Sequence, residues 1–247
     1  MKDIYNVSSS PHIFSQDSAQ TIMMDVVIAL IPAGIFGIYN FGIKALLVIL
    51  TCIVSCLLTE YLYEKFMKLP LTTGDLSAVV TGMLLGLNMP VSVPLWMSVL
   101  GSVFAILVVK MLFGGIGQNF MNPALGGRVF LVISFSNIMS DYSVENLNIL
   151  EPKITDFVMN GALAVDGVTG ATPLTALRAG ESVDILGMFF GNISGAIGET
   201  SAIALLIGGA YLLIKKVIKW RIPVVYIVSF LVFVAIFGGQ GLDLYLL

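Results

Sequence analysis

Residues 166–180, "DGVTGATPLTALRAG", are small and polar in a chain that is 57% hydrophobic. Within them Asp166, Thr169, Gly170, Ala171 and Thr172 follow the pattern D-x-x-[ST]-G-A-T, with Pro173 directly after. A threonine hydroxyl can attack phosphorus when it is exposed on a chain that another enzyme can grip. Gly170 and Ala171 allow close backbone approach. Pro173 has a fixed φ and pushes Thr172 toward an extended conformation, which presents the side chain outward. The competing reading of a Gly/Thr/Ala/Pro run is ordinary turn chemistry. Structural context decides between the two.

Other residues able to do chemistry are few. Asp25 and Glu60 are expected at the membrane edge, in the first turns of one apolar run and near the end of the next, while Asp75 and Glu199 open interrupted runs. Carboxylates inside a membrane are costly and often functional. A carboxylate at a helix N-terminus is also a favourable cap, which suits Asp75 and Glu199. Both readings stand, and Asp25, Asp75 and Glu199 are the ion-path candidates. Cys52 and Cys56, the two cysteines of the chain, lie four apart on one helix face and read as buried small hydrophobes, since a cluster needs about four ligands. His12, the single histidine, cannot build a metal site alone. A structural hydrogen-bonding role is expected for it.

The elements that must position these residues are membrane helices. Charged residues make up 11% of the chain, against about 25% in ordinary globular proteins. Apolar runs occupy 21–39, 43–63, 95–113, 200–214 and 222–237, with shorter, interrupted ones at 76–90 and 123–138. The expectation is an all-α, polytopic membrane protein with about seven transmembrane segments. A net charge of −3 without a large Lys/Arg cluster argues against nucleic acid as a partner. Before the first span stands only Lys2 as a basic residue, with no small-residue cleavage site, so that span is expected to remain in the mature protein.

Basic short loops stay cytoplasmic. Two qualify: Lys65 and Lys68 after the second run, and Lys215, Lys216, Lys219 and Arg221 before the last. With the N-terminus inside, span two returns the chain to Lys65, spans three to five leave it outside after Ile138, and span six returns it to Lys215. The expected organisation is therefore a cytoplasmic arm (1–20), a first membrane bundle (21–138), an extracytoplasmic loop (139–184) and a second bundle (185–247). This count needs 76–90 to be a full crossing.

The string ending at Thr172 resembles the recognition sequence of the flavin transferase that moves FMN from FAD onto a threonine hydroxyl. "VSSSPHI" (7–13), "GDLSAVVTGMLLGLNMP" (74–90), "GQNFMNPALGGRVFL" (117–131) and "GETSAIALLIGG" (198–209) extend the likeness over nearly the whole chain. It resembles the D-type subunit of the Rnf-type ion-translocating electron-transport complex, and more distantly the B-type subunit of the sodium-translocating NADH:quinone oxidoreductase. The resemblance implies a ten-helix fold of two related halves, of which the second bundle here, ending "GGQGLDLYLL", is expected to be incomplete.

It further implies a prokaryotic inner-membrane subunit that carries electrons between ferredoxin and NAD in a complex moving Na⁺ or H⁺. FMN would be held by a phosphoester on Thr172, with Asp166, Thr169, Gly170 and Ala171 as the recognition element. The implied partners are the other subunits, the flavin transferase during maturation, and the lipid bilayer; a second, non-covalent flavin is left open. Arg178, six residues beyond Thr172, suits the flavin phosphate because guanidinium binds phosphate oxygens bidentately. Arg128, expected nearer the cytoplasm, reads as a snorkelling or helix-packing residue.

The alternative is a channel-like or transporter subunit, with "GLNMPVSVP" and "GGIGQNFMNP" as broken-helix linings and the likeness of G-D-L-S-A (74–78) to G-E-T-S-A (198–202) as a hint of a repeat. For the topology, a reporter enzyme fused after Asp141 is expected to be active only outside the cytoplasm. Activity confined to the cytoplasm overturns the assignment.

Overall fold

The computed structural model describes residues 18–142, 189–191 and 195–237, which are mostly helical. Helix α1 (Ala19–Phe41) starts on a capping box in which the Ser18 hydroxyl accepts from the Thr21 N–H and the Thr21 hydroxyl accepts from the Ser18 N–H. This pairing satisfies donors that the first turn would otherwise leave orphaned. Gly42, at φ 71°, is the single residue between α1 and α2 (Ile43–Met67). The sharp reversal uses a backbone conformation that a side chain would strain.

A short 3₁₀ turn (Thr73–Asp75) leads into α3 (Ser77–Leu87). Helix α4 (Leu95–Val103) runs on without a break through a π-helical stretch (Phe104–Lys110) and a 3₁₀ turn (Met111–Phe113). Asn122 caps α5 (Pro123–Ser134), whose proline sits at the start where its missing N–H costs nothing. There follow α6 (Ser136–Met139), α7 (Ala202–Ile214) and α8 (Arg221–Phe237). Each of the seven apolar runs thus contains a helix.

Among the described residues, three helical stretches, Ala19–Phe41, Ile43–Met67 and Leu95–Phe113, are long and apolar enough to cross a membrane. The others are shorter. The run at 76–90 contributes only an 11-residue helix, roughly 16 Å at 1.5 Å per residue against a hydrocarbon core of about 30 Å.

Side-chain contacts give the directions. Ser102 bonds the Cys52 carbonyl and Lys110 bonds Glu60, so α4 runs parallel to α2. Gly82 packs on Ile53 and Gly86 on Ile49, so α3 runs antiparallel to α2. Between two parallel helices the chain has to return. It does so through α3 and the non-helical stretch 88–94. Helix α7 is antiparallel to α1, with Tyr211 on Asp25 and Gly208 on Ala29.

The core lies among α2, α3, α4 and α5, where Val48, Cys52, Leu85, Met97 and Leu131 are buried. Met89, Pro90, Val91, Ser92 and Val93 are also buried, although they are not helical. Their neighbours across the bundle are residues 195–198: Ile197 N–H donates to the Met89 carbonyl (3.0 Å) and Gly198 N–H to the Leu87 carbonyl (2.8 Å). The "GLNMPVSVP" segment is closed by protein on this side.

Glycine sets the approach of α3 to α2. A β-carbon on Gly82 would lie 2.6 Å from Ile53 Cα, whereas one on Gly209 would meet nothing within 4 Å. Gly82→Ala is expected to destabilise by about 1–3 kcal/mol, the usual range for overpacking. Gly209→Ala is expected to be neutral or slightly stabilising, because alanine is the better helix former. Thermal unfolding midpoints of the two variants in lipid are the check.

Candidate functional site: a buried polar cluster

Glu60 and Glu64 stand one turn apart on α2 and so share a face. Like charges at that spacing repel, and here both are enclosed, with relative exposures of 0% and 1%. Lys110, at 3%, supplies the opposing charge from the end of the π-helical stretch. Its Nζ donates to Glu60 Oε1 at 2.8 Å and to Ser77 Oγ at 2.5 Å. The Ser77 hydroxyl donates in turn to Asp75 Oδ1 (2.5 Å), which also accepts the Ser77 N–H (2.8 Å).

The loop between α2 and α3 closes the cluster. Thr72 N–H reaches both carboxylate oxygens of Glu64 at 3.1 Å, and its hydroxyl contacts Glu64 Oε1 and, at 3.4 Å, Glu60 Oε1. Glu60 Oε2 is buried without a hydrogen-bond partner. The cluster can therefore hold a buried charge pair, exchange protons among carboxylates and hydroxyls, and accept one more donor. Ser77 and Lys110 also face a cleft of about 230 Å³, together with Thr81, Asn119 and Asn122.

The structure places the sequence-derived candidates as follows. Glu60, expected at the membrane edge, is enclosed by protein: α2 continues for almost two turns beyond it, and Lys110 bonds it from across the bundle. Asp75 caps the start of α3, in line with one of its two readings, and adjoins the cluster through Ser77. Glu199 is exposed and does not cap α7; Ser201 does, accepting from the Ala204 N–H. Asp25 accepts from the Tyr211 hydroxyl at 2.7 Å and lies 3.7 Å from Lys215 Nζ, forming a clasp between α1 and α7. The three ion-path candidates are thus not brought together.

Of the two readings of Arg128, snorkelling and helix packing, the structure bears out the second. Its guanidinium donates to Asn88 Oδ1 (3.0 Å) and contacts the Tyr142 hydroxyl (3.5 Å), at the end of the bundle remote from the basic loops. It packs helices instead of snorkelling toward the cytoplasm, because Asn88 at the end of α3 offers an acceptor within the protein. Cys52 and Cys56 are free and buried. Thr172, Asp166, Thr169, Gly170, Ala171, Arg178 and His12 lie outside the described residues.

Sequence reasoning missed Lys110, Glu64, Thr72 and Ser77. A lysine inside the apolar run 95–113 and a second glutamate one turn after Glu60 were available signals. Thr72 and Ser77 carried none, since loop hydroxyls are common and only the fold gives them charged neighbours.

Residues 6–246 match the model of the NQR2, RnfD, RnfE family. The chain belongs to that family. Among its relatives, the D-type subunit of the Na(+)-translocating ferredoxin:NAD(+) oxidoreductase complex of Acetobacterium woodii is 44% identical over 94% of this chain and 69% of the relative. The D-type subunit of the proton-translocating ferredoxin:NAD(+) oxidoreductase complex of Clostridium ljungdahlii is 41% identical over 96% and 71%. The D-type subunit of the ion-translocating oxidoreductase complex of Cronobacter sakazakii is 36% identical over 96% and 74%. As a member of the NQR2, RnfD, RnfE family, the chain has its buried cluster inside the region the family model covers.

Removing one partner of a buried ion pair leaves an uncompensated charge, at a cost of about 3–5 kcal/mol. Lys110→Met is expected to lower the unfolding midpoint strongly. Adding Glu60→Gln to it is expected to recover part of the loss, because the orphaned carboxylate is then gone. A double-mutant cycle on thermal unfolding measures this, and strictly additive effects contradict the pairing.

Proposed function

We propose that this chain is the D-type membrane subunit of an ion-translocating ferredoxin:NAD oxidoreductase complex in a prokaryotic inner membrane, and that it carries FMN on Thr172. The family and the names of its relatives support the first part. The seven-position motif ending at Thr172 supports the second.

The observation that carries the reading concerns the ends of the segment bearing the motif. On one side, Asp141 accepts through its carbonyl from Ser92 (2.8 Å), beside the non-helical stretch that follows α3. On the other, the Gly191 carbonyl accepts from Asn40, near the end of α1 (2.6 Å). Both anchors belong to the same end of the bundle. The basic loops belong to the opposite end, where Lys215 meets Asp25 and the 68–76 loop folds onto Glu64. Since basic loops stay cytoplasmic, the segment with Thr172 leaves from and returns to the non-cytoplasmic face.

Thr172 Oγ1 would hold the group through a phosphoester bond, made as the pyrophosphate link of FAD is broken and AMP leaves. The transferase takes up the hydroxyl proton. Bound flavin supplies one- and two-electron transfer, and tethering keeps it in place. Asp166, Thr169, Gly170 and Ala171 serve recognition, and Arg178 is the proposed phosphate partner. Of the ion-path candidates, Asp75 keeps that role because it adjoins the buried cluster.

The protein co-expressed with its flavin transferase, denatured and run on a gel, is expected to show in-gel flavin fluorescence. Thr172→Ala is expected to abolish it. A dark wild-type band removes the carrier reading and leaves the channel-like alternative.

A further inference from the structure

The polar cluster is a continuous chain of proton-carrying groups. Starting from Glu64, the contacts run to the Thr72 hydroxyl, from there to Glu60 Oε1, then to Lys110 Nζ, and on to Ser77 Oγ and Asp75. Its two ends differ in surroundings. Glu64 is enclosed, but Thr72, which lies over it, is exposed on the 68–76 loop, whereas Lys110 and Ser77 line the cleft. We propose that Glu64, Thr72, Glu60, Lys110 and Ser77 form a proton relay between the surface of the 68–76 loop and the cleft.

Three features support a relay over a purely structural cluster. First, Thr72 has one hydroxyl proton and two carboxylate neighbours, so it donates to only one of them at a time. A proton arriving at Glu64 is passed on when the Thr72 hydroxyl turns from one acceptor to the other. Second, two carboxylates and one ammonium are enclosed together, which leaves an excess negative charge that one proton neutralises. Third, Glu60 Oε2 is buried without a partner and has the lone pairs to take that proton. Among the described residues no three His, Cys, Asp or Glu side chains are grouped to hold a metal ion. Among the described residues, the charged or titratable groups facing Glu60 are Lys110 from the end of the π-helical stretch, Asp75 from the turn before α3, and Glu64 and Cys56 from its own helix.

The transfers balance without an oxidant or reductant. Glu64 gives its proton to Thr72 Oγ1 as the hydroxyl proton passes to Glu60. Lys110 hands one of its three N–H protons to Ser77 Oγ and takes one back from Glu60. The Ser77 hydroxyl proton leaves to a group in the cleft or, with none there, to Asp75. Each O–H or N–H bond broken is matched by one formed: with the proton passed into the cleft the cluster ends as it began, and otherwise Asp75 holds the proton that Glu64 gave up.

This relay is independent of the flavin reading, since its members are all described residues and its test needs no electron transfer. The complex is purified in lipid nanodiscs, and the protonated-carboxyl infrared band is followed through a pH titration and after a switch from H₂O to D₂O. The expected band disappears in Glu60→Gln or Glu64→Gln and shifts promptly in D₂O. In Thr72→Val and in Ser77→Ala its exchange is expected to slow at least tenfold, while Thr72→Ser restores the wild-type rate with the hydroxyl. The amide bands report whether each variant is folded, and the Ser77 arm stands if Thr72→Val is not. Wild-type exchange in folded variants lacking either hydroxyl overturns the relay. So does a band that responds to Na⁺ and not to pH, or the absence of any band dependent on Glu60 or Glu64.

Discussion

Two backbone hydrogen bonds, from Ile197 to Met89 and from Gly198 to Leu87, hold together the part of the bundle where helices stop. Within a bilayer an unsatisfied peptide group costs several kcal/mol, so irregular backbone survives only where protein or water supplies partners. Here each interrupted segment answers the other. The stretch after α3 exposes carbonyls, and the stretch before α7 brings N–H groups to them. Gly198 permits this contact, because a β-carbon there would lie 2.7 Å from Leu87 Cβ. The short helices α3 and α7 are therefore parts of one closed arrangement, and the parallel course of α2 and α4 depends on it.

The same physics governs the polar cluster. Enclosing Glu60, Glu64 and Lys110 carries a desolvation penalty that good geometry has to offset. Contacts from three directions do so: Lys110 from α4, Ser77 from α3 and Thr72 from the loop. The π-helical stretch ends at Lys110, and such stretches occur often at functional sites. Its wider turns bring the helix to Lys110 in a register that faces α2. A cluster held from three elements ties their positions together.

Much of the fold is legible in hydropathy. The positions of all seven apolar runs and the interruptions at Asn88–Pro94 and Gly114–Asn122 follow from Gly, Pro and Asn placement, which is local chemistry. The site is less legible. Asp75 reads as a cap or an ionic group, and it is a cap beside an ionic cluster. Glu60 reads as a membrane-edge residue, and its enclosure by protein is not legible because neighbours distant in sequence supply it. Arg128 reads as snorkelling or packing helices, and its contact with Asn88 decides for packing.

By itself the sequence determined the helical class, the apolar runs, the loop charges and the motif at Thr172, because each depends on residues close together along the chain. Only the tertiary structure decided that Lys110 faces Glu60 across 50 positions of chain and that Thr72 lies over Glu64. It also decided that Asp25 is clasped by α7 and not by the polar cluster. The reason is physical: hydropathy sets where a helix begins and ends, but the rotation and register that aim a charged side chain come from close packing with helices distant in sequence.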